Sequence, residues 1–295
     1  MKARVEEPKL SHPNFRGVRL TQADARAGLV LSTATKWNQT EADWAFLLRI
    51  GKGIGFEDAA GELVGSAVIV SYEGKIGWIC MVLVSARARR RGLARSLMGA
   101  AIELAKEAGL VPMLDATPDG RTVYVGTGFR DLFPITRWIG VTHPRAFAPL
   151  ASNPEIRPLL SDAGLERWRL WDRARFGAER GAVLEFLQHS RPDLALQIGG
   201  KDGRGYCLGR IGRNRLQIGP VGADSVATAL ELLKEAMNRV GDFAFLDLVE
   251  GYPELETYLE SRGWKRQRAF TRMICGELPA VRPEGVFVIA GPEYG

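Results

Sequence analysis

The chain has 295 residues, 46% of them hydrophobic and 25% charged, which is the balance of an ordinary globular protein with length for about two domains. No run of about 18 apolar residues occurs, and the first nine residues lack the apolar core of a signal peptide, so neither a membrane partner nor export is expected. The net charge of +6 invites a nucleic-acid reading, but Arg87, Arg89, Arg90, Arg91 and Arg95 crowd one short loop, and no helix-turn-helix, zinc or RNA-recognition pattern is present; a small anionic ligand is expected instead. Cys80, Cys207 and Cys275 sit in strand-like segments without metal-ligand spacing, which predicts reduced core thiols in a cytoplasmic protein and no metal.

In chain order, residues 1–15 read as a frayed leader and 17–20 as a first strand. Thr21, with Asp24 three residues on, is placed to cap a helix running towards 36–39, and Thr40 to cap a second helix carrying Trp44, Phe46, Leu47 and Leu48. Gly51 to Gly55 breaks the helical pattern. Residues 54–58 then lead through a turn at Ala60-Gly61 into a strand over 63–71, and Glu73-Gly74 turns into another over 75–84.

Residues 79–84 form a short apolar run of strand type, and apolar residues at 93, 97, 101, 104, 105 and 108 have helical spacing. Between them lie Arg89, Arg90, Arg91 and Gly92, with Gly92 where a helix begins. Free backbone N–H groups, the positive end of a helix dipole and guanidinium groups converge there, as phosphate binding requires. Beyond Gly109, residues 111–116 read as a buried strand, Thr117-Pro118-Asp119-Gly120 as a turn into a brief helix bearing Tyr124, and Gly128-Phe129 as the start of a closing strand pair through Ile139.

Two of these stretches carry a resemblance. Arg89-Arg90-Arg91-Gly92-Leu93-Ala94 after the strand resembles the acyl-CoA pyrophosphate loop of the GNAT N-acetyltransferase superfamily, Arg/Gln-x-x-Gly-x-Gly/Ala. Tyr124-Val-Gly-Thr-Gly128-Phe129 is similar to that family's Tyr-x-x-x-Gly-Phe. The likeness covers about 16–141 and implies an α+β fold, a mixed and mainly antiparallel twisted sheet flanked by helices.

Thr142 to Pro158, with four prolines and no periodicity, reads as a linker. Beyond it the chain repeats: the segment 128–139 and the segment 263–274 share Gly, Thr, Arg and Ile in register, Asp115 is mirrored by Asp247, and the helix over 97–108 by one over 226–240. This predicts two tandem GNAT-like domains, 1–148 and 149–295. After its strand 215–220 the second copy has Val-Gly-Ala-Asp-Ser where the loop should be, and Leu259 where the first has Tyr124. It is expected to have lost acyl-CoA binding.

The resemblance implies acetyl-CoA as co-substrate, its pantetheine along Met81, Val82, Leu83 and Val84, and its pyrophosphate at Arg89, Arg90, Arg91, Gly92, Leu93, Ala94 and Arg95. Tyr124 then serves as general acid to the departing thiolate. The strand before the loop offers no glutamate as base, and Asp115 is the candidate for contacting or deprotonating the amine. Trp37, Asn38 and Trp78 are candidates for lining the acceptor pocket, Trp44, Trp138 and Trp264 for the core, and Asp172, Phe176 and Arg180 for facing the cleft between domains. His12, His143 and His189 receive no role. The activity implied is acetyl transfer to a primary amine of a small molecule by direct attack in a ternary complex; the alternative is a non-catalytic acyl-CoA-binding or sensing protein. The acceptor and the oligomeric state stay open.

Overall fold

The computed structural model of the protein describes residues 10–141, 153–159, 162–199, 203–240, 243–278 and 284–295. They form two compact units that do not follow chain order. One takes in the described residues up to 114, with 122–129 and 274–276; the other takes in 115–121 and the remaining described residues from 130 onward. The linear halves 1–148 and 149–295 therefore differ from the compact units, because the strand 130–141, ahead of the linker, belongs to the second.

In the first unit, β1 (Arg16–Leu20) is followed by α1 (Ala25–Ala34), α2 (Glu41–Ile50), β2 (Gly51–Glu57), β3 (Leu63–Tyr72), β4 (Ile76–Val84), α3 (Leu93–Glu107), β5 (Val111–Ala116) and α4 (Pro118–Val125), the end of β5 and the start of α4 counting with the second. The sheet order is β1-β2-β3-β4-β5, antiparallel up to β4 and parallel between β4 and β5. The start of α2 follows the predicted cap, whereas Thr21 and Asp24 close a short 3-10 turn over Gln22–Asp24 that leads into α1, itself without a side-chain cap. The Asp24 carboxylate accepts the Thr21 N–H at 2.7 Å, and at α2 the Thr40 hydroxyl and the Asp43 carboxylate each accept the other's backbone N–H, at 3.2 and 2.6 Å. α1 ends earlier than the predicted 36–39, because Lys36 turns to a φ of +59° and the Trp37 N–H bonds back to the Ser32 carbonyl at 2.9 Å.

The glycines from 51 to 55 do not break the pattern but build β2. A Cβ on Gly53 would lie 2.4 Å from Leu48 Cδ2 and 2.7 Å from Leu20 Cβ, so their absence lets the strand lie directly under α2 and β1. α3 turns Leu93, Leu97, Met98, Ala101, Ile102 and Ala105 inward, onto the sheet. Each large side chain so buried contributes about 1.5–3 kcal/mol.

The second unit contains β6 (Arg130–Val141), β7 (Ile156–Pro158), α5 (Asp162–Phe176), α6 (Gly181–Ser190), β8 (Leu196–Ile198), β9 (Gly205–Ile211), β10 (Leu216–Ala223), α7 (Val226–Arg239), β11 (Phe243–Val249), α8 (Pro253–Ser261), β12 (Lys265–Ile274) and β13 (Val286–Val288). Its strand order is β12-β6-β11-β13-β10-β9-β8-β7. Part of the predicted linker, 142–152, lies outside the described residues, whereas 156–158 is not linker but β7, paired with β8. Trp44, Trp138 and Trp264 are core residues as expected, and all three cysteines are buried free thiols. Among the described residues no helix is long and apolar enough to cross a membrane.

Candidate functional site

The first unit opens where β4 and β5 part. They pair over Ile76↔Val111, Gly77↔Pro112 and Trp78↔Met113, and the ladder stops there. Two residues later β4 bulges. Its register with β3 jumps from Val68↔Cys80 to Ser66↔Leu83, Met81 takes a φ of +52°, and the Ser66 hydroxyl donates to the Met81 carbonyl at 2.8 Å. A bulge adds one residue and bends its strand away from its neighbour. Met81, Val82, Leu83 and Val84 thus have β3 on one side and, among the described residues, no strand partner on the other: an edge ready to pair with an extended ligand.

That edge runs into the arginine loop. Gly92 holds a φ of +86°, and a Cβ placed on it would meet nothing within 4 Å, so the space before the helix is open. No side chain caps α3, which leaves its first amides to an external acceptor. Arg87 is spent on Asp58 and Glu62, at 2.8 and 2.5 Å, and Arg89 Nε reaches back to the Val84 carbonyl at 3.3 Å. Arg90 and Arg95 are exposed and have no ion-pair partner among the described residues. Exposed guanidinium groups without an ion-pair partner among the described residues thus stand beside uncapped helix amides, an arrangement that can receive an anion.

Tyr124 lies near the end of α4, whose chain reverses at once: the Tyr124 carbonyl accepts from the Thr127 N–H at 2.9 Å and the Thr127 hydroxyl at 2.8 Å. Its ring leans on Phe129, with centroids 6.2 Å apart. The side chain is half-buried, its hydroxyl bonds no other described residue, and loss of hydration pushes the phenol up to about 12. At neutral pH it is a proton donor without a partner among the described residues.

The second copy repeats this geometry and then closes it. β10 pairs in parallel with β11 from Leu216↔Ala244 to Ile218↔Leu246, breaks register beyond Ile218, and diverges as β4 does. Here, however, β13 fills the gap, Val288 facing Val221 of β10 on one side and Leu248 of β11 on the other. Flanking bonds, Ala223 N–H to the Gly285 carbonyl at 2.9 Å and Ile289 N–H to the Asp247 carbonyl at 3.0 Å, extend the seal. β10 itself runs to Ala223, three residues past its predicted end. The start of α7 is also closed, because the Ser225 hydroxyl accepts the Thr228 N–H at 3.2 Å. Leu259, standing for Tyr124, is fully buried.

Other predicted residues fall elsewhere. Asp115 is not an accessible base: its carboxylate is completely enclosed and held by Arg272 through two 2.8 Å bonds, Nε to Oδ1 and Nη2 to Oδ2. Burial raises its carboxyl above the usual range, opposed by the Arg272 charge and reinforced by Asp247. Its mirror Asp247 is held the same way by Arg137, at 2.7 and 2.8 Å. Arg137 and Arg272 occupy the same place in the two repeats, yet each arginine pairs with the aspartate of the other repeat. The repeat itself was the signal that could have found this, with two acids and two arginines each duplicated.

Trp78 is wholly enclosed, so it belongs to the core rather than to an acceptor-facing wall. Trp37 is half-buried and Asn38 buried, both in the turn between α1 and α2. Asp172 and Arg180 do not face open space but form an enclosed pair, bidentate at 2.8 Å, which also takes the Tyr206 hydroxyl at 2.8 Å. Phe176 is buried beside them, its ring 4.1 Å from the Arg180 guanidinium. His143 lies outside the described residues, and His189 bonds the Glu185 carbonyl of its own helix.

Comparison with known proteins bears on both units. A family model described as "Acetyltransferase (GNAT) family" matches residues 28–124, and a second, "Acetyltransferase (GNAT) domain", matches 169–287. Among solved structures, an acetyltransferase from Pyrococcus horikoshii described as putative is similar over 99% of this chain and 100% of its own, at 18% identity and a TM-score of 0.80. A GCN5-related N-acetyltransferase from Sphaerobacter thermophilus is similar over 92% and 99% at 18% identity and TM-score 0.62. A tandem GNAT protein from the clavulanic acid biosynthesis pathway is similar over 90% and 100% at 14% and 0.61. At such identities the structural likeness speaks to the fold. No curated protein matches the sequence. With the two family matches together spanning well over half its length, the chain belongs to the GNAT acetyltransferase superfamily and carries two GNAT domains in tandem.

Proposed function

We propose that the first GNAT copy binds acetyl-CoA and transfers its acetyl group to a primary amine, while the second is a degenerate copy without a donor site. The observation that carries this reading is the contrast between the copies: the gap after the β4 bulge and the start of α3 are open, and the corresponding gap and helix start are filled by β13 and capped by Ser225. In this reading Met81–Val84 pair with the pantetheine arm through their backbone. Gly92, Leu93, Ala94 and Arg95 present amides to the pyrophosphate, and Arg89, Arg90 and Arg91 add charge. Acetyl-CoA supplies an activated thioester. The protein aligns the amine with it and holds a proton at the Tyr124 hydroxyl for the departing sulfur, direct attack in a ternary complex needing no protein nucleophile. A small-molecule acceptor in the cytoplasm is the simplest partner, with Trp37 and Asn38 near the acceptor.

Tyr124→Phe should lower kcat about 100-fold with little change in acetyl-CoA affinity, measured by free-thiol release beside calorimetry. The pH profile is a second test. With the phenol up to about 12, Tyr124 keeps its proton throughout the working range, whereas an unperturbed phenol near 10 would begin to lose it by pH 9. The rate should rise as the amine deprotonates and show no falling limb up to pH 10; a falling limb centred near 10 would contradict the assignment. The enclosure of Asp115 favours one rival, an acyl-CoA sensor that binds without turnover. Release of free CoA with any amine in a screen separates the two.

A further inference from the structure

Residues 10–15, expected to fray, instead pack beside the arginine loop. The Asn14 N–H donates to His12 Nδ1 at 3.2 Å. Nδ1 thus accepts, and Nε2 donates to the Arg91 carbonyl at 3.0 Å. The His12 ring lies 4.9 Å from that of Phe15 and 6.0 Å from that of Phe56 in β2, and the Arg91 guanidinium stands over Phe15 at 5.8 Å. A Cβ on Gly17 would come within 2.7 Å of Leu10, so the segment is fitted closely to β1. Phe15 as a whole is half-buried. These contacts approach the loop from the β1–β2 side, whereas the open strand edge approaches it from the β5 side.

We infer that His12 and Phe15 form the receptor for the purine nucleotide end of the donor, with Phe15 as a stacking face and His12 as the positioning residue that fixes the Arg91 backbone. The inference rests on the acetyl-CoA reading. A ligand whose pantetheine arm occupies the β5 side and whose pyrophosphate occupies the start of α3 can reach the other flank of the loop with its nucleotide, where Arg91 links the loop to His12 and Phe15. An aromatic ring beside a guanidinium that has no ion-pair partner among the described residues suits a purine there, since stacking tolerates any base and a cation above the ring strengthens it.

The test compares affinities for acetyl-CoA and for S-acetyl-4′-phosphopantetheine, which lacks the nucleotide, in the full chain. Phe15→Ala and His12→Ala should each lower the affinity for acetyl-CoA relative to the truncated donor by about ten-fold. His12→Gln, which keeps an N–H donor, should recover most of the loss. An unchanged ratio in either alanine variant, whether because neither donor is affected or because both weaken alike, would overturn the inference while leaving the acetyl-CoA site standing. A wild type that binds neither donor would overturn the site and the inference together.

Discussion

Arg272→Ala should destabilise the protein by about 3–5 kcal/mol, the range for breaking a buried ion pair from one side. The Asp115 side chain is fully enclosed and that of Arg272 almost so, the pair is bidentate, and the guanidinium also stands 5.2 Å from the Phe133 ring. Without it, a carboxyl already raised by burial loses the charge that opposes that shift, and must either protonate or draw in water. Denaturant midpoints measure the loss. Restoring charge balance in the Asp115→Ala/Arg272→Ala double variant should cost less than the sum of the two single changes. By contrast, truncating Arg121, whose partner Asp131 is also exposed, should leave the midpoint where it is. An Arg272→Ala variant as stable as wild type would mean that the pair does not hold the second unit together.

Gly92→Asp should weaken acetyl-CoA binding by about 100-fold or more. A carboxylate at this position places bulk and negative charge beside the uncapped first amides of α3, against the pyrophosphate. Losing one or two charge-assisted hydrogen bonds, each worth ~1.5–3 kcal/mol, gives a factor of that size at 1.4 kcal/mol per decade. The fold should survive, because the added Cβ meets nothing within 4 Å and the φ of +86° costs a non-glycine residue only about 1–2 kcal/mol. Melting curves distinguish this from unfolding. Unchanged affinity in a folded Gly92→Asp variant would contradict the assignment of the loop.

Local chemistry was legible in the sequence. Thr40 with Asp43, the turn at Glu73-Gly74, the arginine loop and α3 are each set by residues a few positions apart, and the structure has them where the spacing puts them. What was not legible depends on partners far along the chain. Asp115 looks like a candidate base until Arg272, 157 residues later, is placed on it. The glycines of β2 read as a breaker because the reason for them is the proximity of Leu20 and Leu48. β13 is three residues long and has no periodicity to announce it, yet it decides whether the second copy has an open slot. His12 drew no attention as an isolated histidine; its meaning comes from the Arg91 carbonyl, 79 residues away.

On the proposed function, one copy has an open donor site and the other has filled its own. Calorimetric titration of acetyl-CoA into the full chain tests it most directly. One equivalent per chain is the predicted result, lost in Gly92→Asp. Two equivalents would mean that β13 does not close the second slot, and no binding at all would contradict the account at its root.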